Sequence, residues 1–229
     1  MNVRSNINRI GNITSSNCWK LFATTAKVKT YLTELRYERQ LGRSLSTDVE
    51  ARPLSWGKLC EGIAFNLIGT EYTLNSQETI CHPEIIGWTG TPDGQKKDCV
   101  HDIKCPYTLK SFCELVEIIE IGNPDLLKKE KPEYYWQLIS NSILLNTTHA
   151  ELIVYCPYFE DLGVIKHAAQ NVHPDSLYKY YWLGSANDEE LPYILKDGHY
   201  KDINKFMFEV PESDKLSLTE AVKTALEKL

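Results

Sequence analysis

The chain has 229 residues, 42% hydrophobic and 24% charged, and carries a net charge of −6. That balance fits an ordinary globular protein of one large domain, or one domain with an appendage, with chain enough for a real core, and no repeats or low-complexity tracts occur. No stretch approaches the roughly 20 apolar residues of a membrane span, and the opening "MNVRSNINRIGNITSS" lacks the apolar run of a secretory signal, so an intracellular, cytoplasmic chain is expected.

In chain order, Ser15 or Ser16 can cap a helix that runs to about residue 40 and stops at Gly42. The charge here is +5 over residues 1–42, against −4 over residues 185–229. An acidic protein therefore keeps a basic region able to bind phosphate, although the same charges also suit the solvated side of a helix. The loop "GRSLSTDVEARP" leads to a second helix opened by Pro53 and closed by Gly69. Trp56, Leu59, Cys60, Ile63, Ala64 and Leu67 fall at helical spacing along it. The period then shortens, and "EYTL", "ETICHP", "IIGWTGTP" and "CVHDIKC" read as strands bounded by turn residues. "LKSFCELVEIIEIG" returns to helix, a Pro/Lys-rich turn follows, and "PEYYWQLISNSILLN" is helical again. "AELIVYCPY" reads as a buried strand, and "GVIKHAAQN" and "KFMFEVP" as further strands. "SLTEAVKTALEKL" is a terminal helix opened by the capping box Ser217-x-x-Glu220. The sum is an α/β domain with a central mixed sheet flanked by helices. Its seven cysteines are odd in number and contain no Cys-x-x-Cys, which argues against a disulfide framework, a zinc ribbon or an iron–sulfur cluster.

The chemistry concentrates in "TPDGQKKDCVHDIKCP". Asp102 and Lys104 stand two apart on a strand, so they share a face about 7 Å apart, while Cys99, His101, Ile103 and Cys105 turn towards the core. The two polar groups are expected to emerge side by side where Pro106 ends the pairing. Asp93 lies in the Pro-Asp-Gly turn at the end of the preceding strand, and a hairpin brings its carboxylate next to Asp102. Two converging carboxylates are costly without a cation between them. An all-oxygen site suits Mg²⁺, with Mn²⁺ as a substitute. Such a cation acidifies a bound water and neutralises phosphate charge, and Lys104 is a compact charge able to hold that water. The parts match metal-assisted phosphodiester hydrolysis. The bland alternative is a polar turn followed by an edge strand with a surface ion pair.

Asp93, Asp102 and Lys104 resemble the PD-(D/E)xK nuclease signature, and "GTPDG…DIKCP" is similar to the lambda-type phage exonucleases of the YqaJ-like viral recombinase family. "RIGNITSS", "LSWGKLCE" and "YYWQLI" resemble further motifs of that family, in order, from about residue 9 to residue 157. The departure is Asp102, where the lambda enzyme has Glu. The resemblance implies a restriction-endonuclease-like core over about 9–157, with 158–229 as a C-terminal elaboration of the same single domain. It implies Asp93, Asp102 and the backbone carbonyl of Ile103 as metal ligands, and Lys104 orienting the attacking water. On the same resemblance Glu61 would face the site from the second helix and Gln137 would contact the bound water or the scissile strand. Arg9 and Ser16 would bind a 5′-terminal phosphate near the start of the first helix, where backbone donors favour anions. The implied activity is 5′→3′ digestion of one strand of duplex DNA from its ends, leaving a 3′ overhang for a single-strand annealing protein. A ring-shaped homotrimer around the DNA is implied too, as is a host-cell cytoplasm if the chain is phage-encoded.

Other features weigh less. Tyr178, Tyr180, Tyr181 and Trp182 are able to stack on bases but suit a core or a subunit interface better. His101 is expected as a satisfied core histidine. No Gly-rich phosphate loop occurs, so no nucleotide fuel is expected. The rival functions are a structure- or sequence-specific endonuclease of the same fold and a catalytically weak DNA-binding recombination module.

Overall fold

The computed structural model describes residues 9–45, 51–69, 71–74 and 79–229. The order begins with strand β1 (Ile13–Thr14), a 3₁₀ turn (Cys18–Phe22), helix α1 (Thr25–Leu41), helix α2 (Arg52–Ile68) and strands β2 (Thr73–Leu74) and β3 (Ile80–Cys81). Strands β4 (Trp88–Gly90), β5 (Gly94–Lys96) and β6 (Cys99–Lys104) follow, then helices α3 (Leu109–Ile121), α4 (Pro124–Glu130) and α5 (Pro132–Leu145). Strand β7 (His149–Tyr155), helices α6 (Leu162–Gln170) and α7 (Leu177–Ser185), strand β8 (Ile203–Glu209) and helix α8 (Glu212–Leu226) complete the order.

Among the described residues a five-stranded sheet runs β2-β5-β6-β7-β8, parallel only at β6–β7, so it is mixed. A smaller sheet, β1-β4-β3, stands beside it. On β6 and β7 the residues from Cys99 to Ile103 and from Ala150 to Tyr155 are buried, as in a sheet covered on both faces. Val100, Leu152 and Val154 join one core with Phe112, Leu115, Leu138, Phe206 and Leu218. Ile103, Ile153 and Tyr155 join the other with Trp56, Cys60, Ile165 and Leu183. Helices α3, α5 and α8 cover the first face, and α2, α6 and α7 the second.

Several expectations are corrected. Ser15 and Ser16 cap no helix. The Ser15 amide donates to the Thr89 carbonyl at 2.9 Å and its hydroxyl meets Ser140, so it belongs to the strand system. The first helix is split, because the 3₁₀ turn ends at an extended Ala23 and α1 begins only at Thr25. The Pro/Lys-rich "turn" contains α4, which Asn123 caps by accepting from the Asp125 amide, with Pro124 in its first turn. "GVIKHAAQN" is helical, with Leu162, Ile165 and Ala169 buried at helical spacing and β-branched Val164 facing out. The terminal helix starts at Glu212 rather than Ser217, and the expected capping box is absent. Ser217 Oγ instead donates to the Ser213 carbonyl one turn back, a mid-helix bond.

Candidate active site

The Pro-Asp-Gly segment is not the hairpin turn. The chain reverses at Lys97 and Asp98, where Lys97 has φ 52°, and β5 pairs with β6 in the register Gly94↔His101. Asp93 therefore sits one step beyond that pair, opposite Asp102. Gly94 is required there, because a Cβ would lie 2.5 Å from both the His101 ring and the Thr73 carbonyl oxygen. The Ile103 amide donates to Asp93 Oδ2 at 2.7 Å, which fixes this carboxylate against the strand that carries Asp102.

Asp102 does not emerge into solvent as the strand period predicted. It is 0% exposed, because α5 covers that face of β6. Lys104 reaches it, with Nζ 2.6 Å from Asp102 Oδ2 and the Lys104 side chain 21% exposed. Gln137, on α5, joins both. Its Nε2 donates to Asp102 Oδ1 at 2.7 Å and its Oε1 accepts from Lys104 Nζ at 3.3 Å. Glu61 arrives from α2 on the other face and comes within hydrogen-bonding reach of Asp93. The structure thus gathers Glu61, Asp93, Asp102, Ile103, Lys104 and Gln137 at one strand end.

The electrostatics follow from three carboxyl groups around one ammonium. Burial, then the neighbouring Glu61 charge, raises the Asp93 carboxyl to about 7. Burial does the same for Asp102, also to about 7, against the opposing pull of Lys104. Burial likewise raises Glu61. For Lys104, burial favours loss of the proton, but Asp102 and Asp93 outweigh it and the ammonium is held above its ordinary range. Carboxyl groups that resist ionisation in this way mark a place short of positive charge, and a further cation fits there. Among the described residues no group of three or more His, Cys, Asp or Glu side chains is arranged to hold a metal ion. The fit rests on the Asp93 and Asp102 oxygens and the adjoining Ile103 backbone, an all-oxygen set suited to a hard divalent ion.

Arg9 and Ser16 form a separate pair, with Arg9 Nη2 donating to Ser16 Oγ at 3.4 Å. Burial lowers the Arg9 guanidinium from its ordinary value, and no ion pair to a carboxylate is formed by it among the described residues. A half-buried arginine that pairs with no carboxylate among the described residues is suited to an anion. The helix start expected beside it is a five-residue 3₁₀ turn, too short for a sizeable dipole. Two neighbours of these sites escaped the sequence reading. The Tyr134 ring lies 5.1 Å from Lys104 Nζ, and Thr14 Oγ1 lies 3.3 Å from Ser16 Oγ. Tyr134 had a signal, one helical turn before Gln137; Thr14 meets Ser16 through the turn that Asn17 closes on the Thr14 carbonyl.

His101 is wholly buried, and burial holds its imidazole down to about 4, as expected of a core histidine. It is not a satisfied one, since among the described residues neither ring nitrogen has a hydrogen-bond partner, and the ring packs against Tyr72 and Phe65. In the aromatic cluster Tyr180 is buried, Trp182 donates to Ser55 at 2.9 Å, and Tyr178 and Tyr181 face out.

At the level of sequence, no family model and no curated protein matches the chain. Solved structures do. LHK-Exo, an alkaline exonuclease from Laribacter hongkongensis, superposes with a TM-score of 0.66 at 18% identity, over 98% of this chain and 91% of that one. Its complex with dAMP gives 0.65 at 18% identity over the same shares. A phage-related exonuclease from Haemophilus somnus 129PT gives 0.59 at 15% identity, over 95% of this chain and 92% of that one. Over nearly its whole length, the chain therefore has the fold of these exonucleases, a mixed sheet flanked by helices.

Proposed function

We propose that the chain is a Mg²⁺-dependent exonuclease that digests one strand of linear duplex DNA from its 5′ end and leaves a 3′ overhang. The observation that carries this reading is the Asp102–Lys104–Gln137 triangle, with Asp93 pinned to the Ile103 amide beside it. The exonuclease fold of the structural neighbours supports it. A pure binding module gains little from gathering one buried and two half-buried carboxyl groups, since each costs desolvation free energy.

Asp93, Asp102 and the Ile103 carbonyl would hold the cation. When bound, it supplies charge neutralisation on the scissile phosphate and acidifies a water. The chain's own groups do the rest. Asp102 and Gln137 fix the Lys104 ammonium, which orients the attacking water in line with the phosphorus. Attack forms the new P–O bond as the bond to the departing ribose oxygen breaks. Glu61, in its carboxylate form, stands beside Asp93 and takes the proton of the attacking water, while the departing ribose oxygen takes a proton from solvent. Arg9 and Ser16 take the 5′-terminal phosphate. A single-strand annealing protein as recipient of the overhang, a ring-shaped homotrimer and a cytoplasmic setting belong to the same proposal.

The test is to incubate end-labelled linear duplex and closed circular duplex with Mg²⁺, with and without a chelator. Mononucleotides from the linear form alone, abolished by chelation, are expected. Cutting of the circle would select an endonuclease, and binding without products would select a recombination module.

A further inference from the structure

A buried hydrogen-bonded seam joins the two groups of site residues. Ser15 Oγ and Ser140 Oγ lie 2.8 Å apart, and the two residues are 2% and 0% exposed. Trp88 Nε1 donates to Ser140 Oγ at 2.9 Å, and Ser15 Oγ donates to the Thr89 carbonyl at 3.4 Å. The seam is therefore one chain from β4 through α5 and the turn after β1 back to β4. Around it, Cys18 Sγ donates to the Trp136 carbonyl at 3.3 Å, and the Phe22 and Trp136 rings stack at 3.9 Å. Gly90 lets β4 approach, since a Cβ there would collide with Ser15 Oγ and Leu144.

The placement matters more than the bonds. Ser140 follows Gln137 by three residues on α5, so the two neighbour each other across one helical turn. Ser15 directly precedes Ser16 in the turn that follows β1, closed by the Asn17 amide on the Thr14 carbonyl; Ser15 enters the seam, while Ser16 meets Thr14 and Arg9. The segment that carries the Arg9–Ser16 pair is thus fastened within one turn of the side chain that holds Asp102 and Lys104. A bond between small, fully buried hydroxyls leaves little slack, unlike contacts between long side chains.

We propose that Ser15 and Ser140 are positioning residues that hold the 5′-phosphate subsite at a fixed span from the cutting centre. They set which phosphodiester, counted from a 5′-phosphate end, is hydrolysed, and how far that phosphate accelerates the cut. This rests on the exonuclease reading above and on Arg9 and Ser16 as its phosphate subsite.

The experiment compares the full chain with Ser15→Ala and Ser140→Ala on duplexes bearing a 5′-phosphate or a 5′-hydroxyl, in Mg²⁺, reading kcat, KM and product length. Thermal melts check the fold. Ser15→Ala keeps the Trp88–Ser140 bond, so it remains decisive if Ser140→Ala is poorly folded. Expected for Ser15→Ala is a roughly tenfold fall in the kcat advantage of the phosphorylated end, as a small misplacement produces. Dinucleotides should appear beside mononucleotides, with KM and the rate on hydroxyl ends little changed. Equal slowing of both substrates, or no change in either ratio or product length, overturns the proposal. A parent chain that digests both ends equally overturns it at the phosphate subsite, and one that digests neither overturns the nuclease reading first.

Discussion

Gln137 Nε2 donates a 2.7 Å hydrogen bond to Asp102 Oδ1. The same amide accepts from Lys104, so one uncharged side chain serves both members of a buried ion pair. Gln137→Ala is expected to lower the digestion rate about 10- to 100-fold, the worth of a hydrogen bond to a charged group. Gln137→Glu should be at least as harmful, because it faces a carboxylate with another. Steady-state rates on linear duplex check the order, and full activity in Gln137→Glu would remove the amide from the site.

Lys104→Ala is expected to cost about 10²- to 10³-fold in cleavage, the range for removing one preorganised donor at the reacting centre. Duplex binding should persist. Fluorescence anisotropy in Ca²⁺, where binding without turnover is expected, separates the two quantities. Parallel loss of binding and cleavage would contradict the role given to this ammonium.

The raised carboxyl groups predict a pH dependence with a definite sign. Asp93 and Asp102 titrate at about 7 in the fold, against about 4 in an unfolded chain. The folded state therefore holds the extra protons, and this contribution to stability is complete below about pH 4 and lost as pH rises through 7. The metal-free protein should melt at lower temperature at pH 8 than at pH 5.5, and Asp102→Asn should flatten that trend. Mg²⁺ needs the ionised forms, so its stabilising effect should be larger at pH 8 and digestion should increase from pH 6 to pH 8. Calorimetry at both pH values, with and without Mg²⁺, checks the sign.

Arg9→Ala is expected to remove most of the preference for 5′-phosphorylated ends. A charge-assisted bond to phosphate is worth about 1.5–3 kcal/mol, or roughly 10- to 100-fold in the ratio of rates. Competition between phosphorylated and hydroxyl ends measures it directly. If both rates change by one factor, the half-buried guanidinium serves the fold instead.

Helix α2 was legible because Pro53 and Gly69 punctuate an unbroken helical stripe, and β6 because the short segment "CVHDIK", bounded by turn residues, ends in Cys105-Pro106. The convergence of Asp93 on Asp102 was legible from the short link between them. The burial of Asp102 was not. Strand alternation says which face a residue takes, but the covering helix α5 lies thirty-five residues away at Gln137, and no local pattern reports it. Glu61 and Gln137 entered through resemblance alone, since nothing in their own helices distinguishes them from ordinary polar residues. Helix α6 was misread because Val164 and Ile165 are strand-favouring residues in a nine-residue segment whose helix is held by packing. Ser15 was misread because a hydroxyl suited to a helix cap is equally suited to pairing across a sheet.

The hairpin that joins β5 to β6 also bears on how the protein comes into being. Asp93 and Asp102 are neighbours in a segment able to close within about 1–10 μs, whereas Glu61 and Gln137 reach them only after long loops have closed. A nascent or partly unfolded chain can hold its acidic pair without the groups that align Lys104. On the proposed nuclease reading, cleavage is expected only once folding is complete.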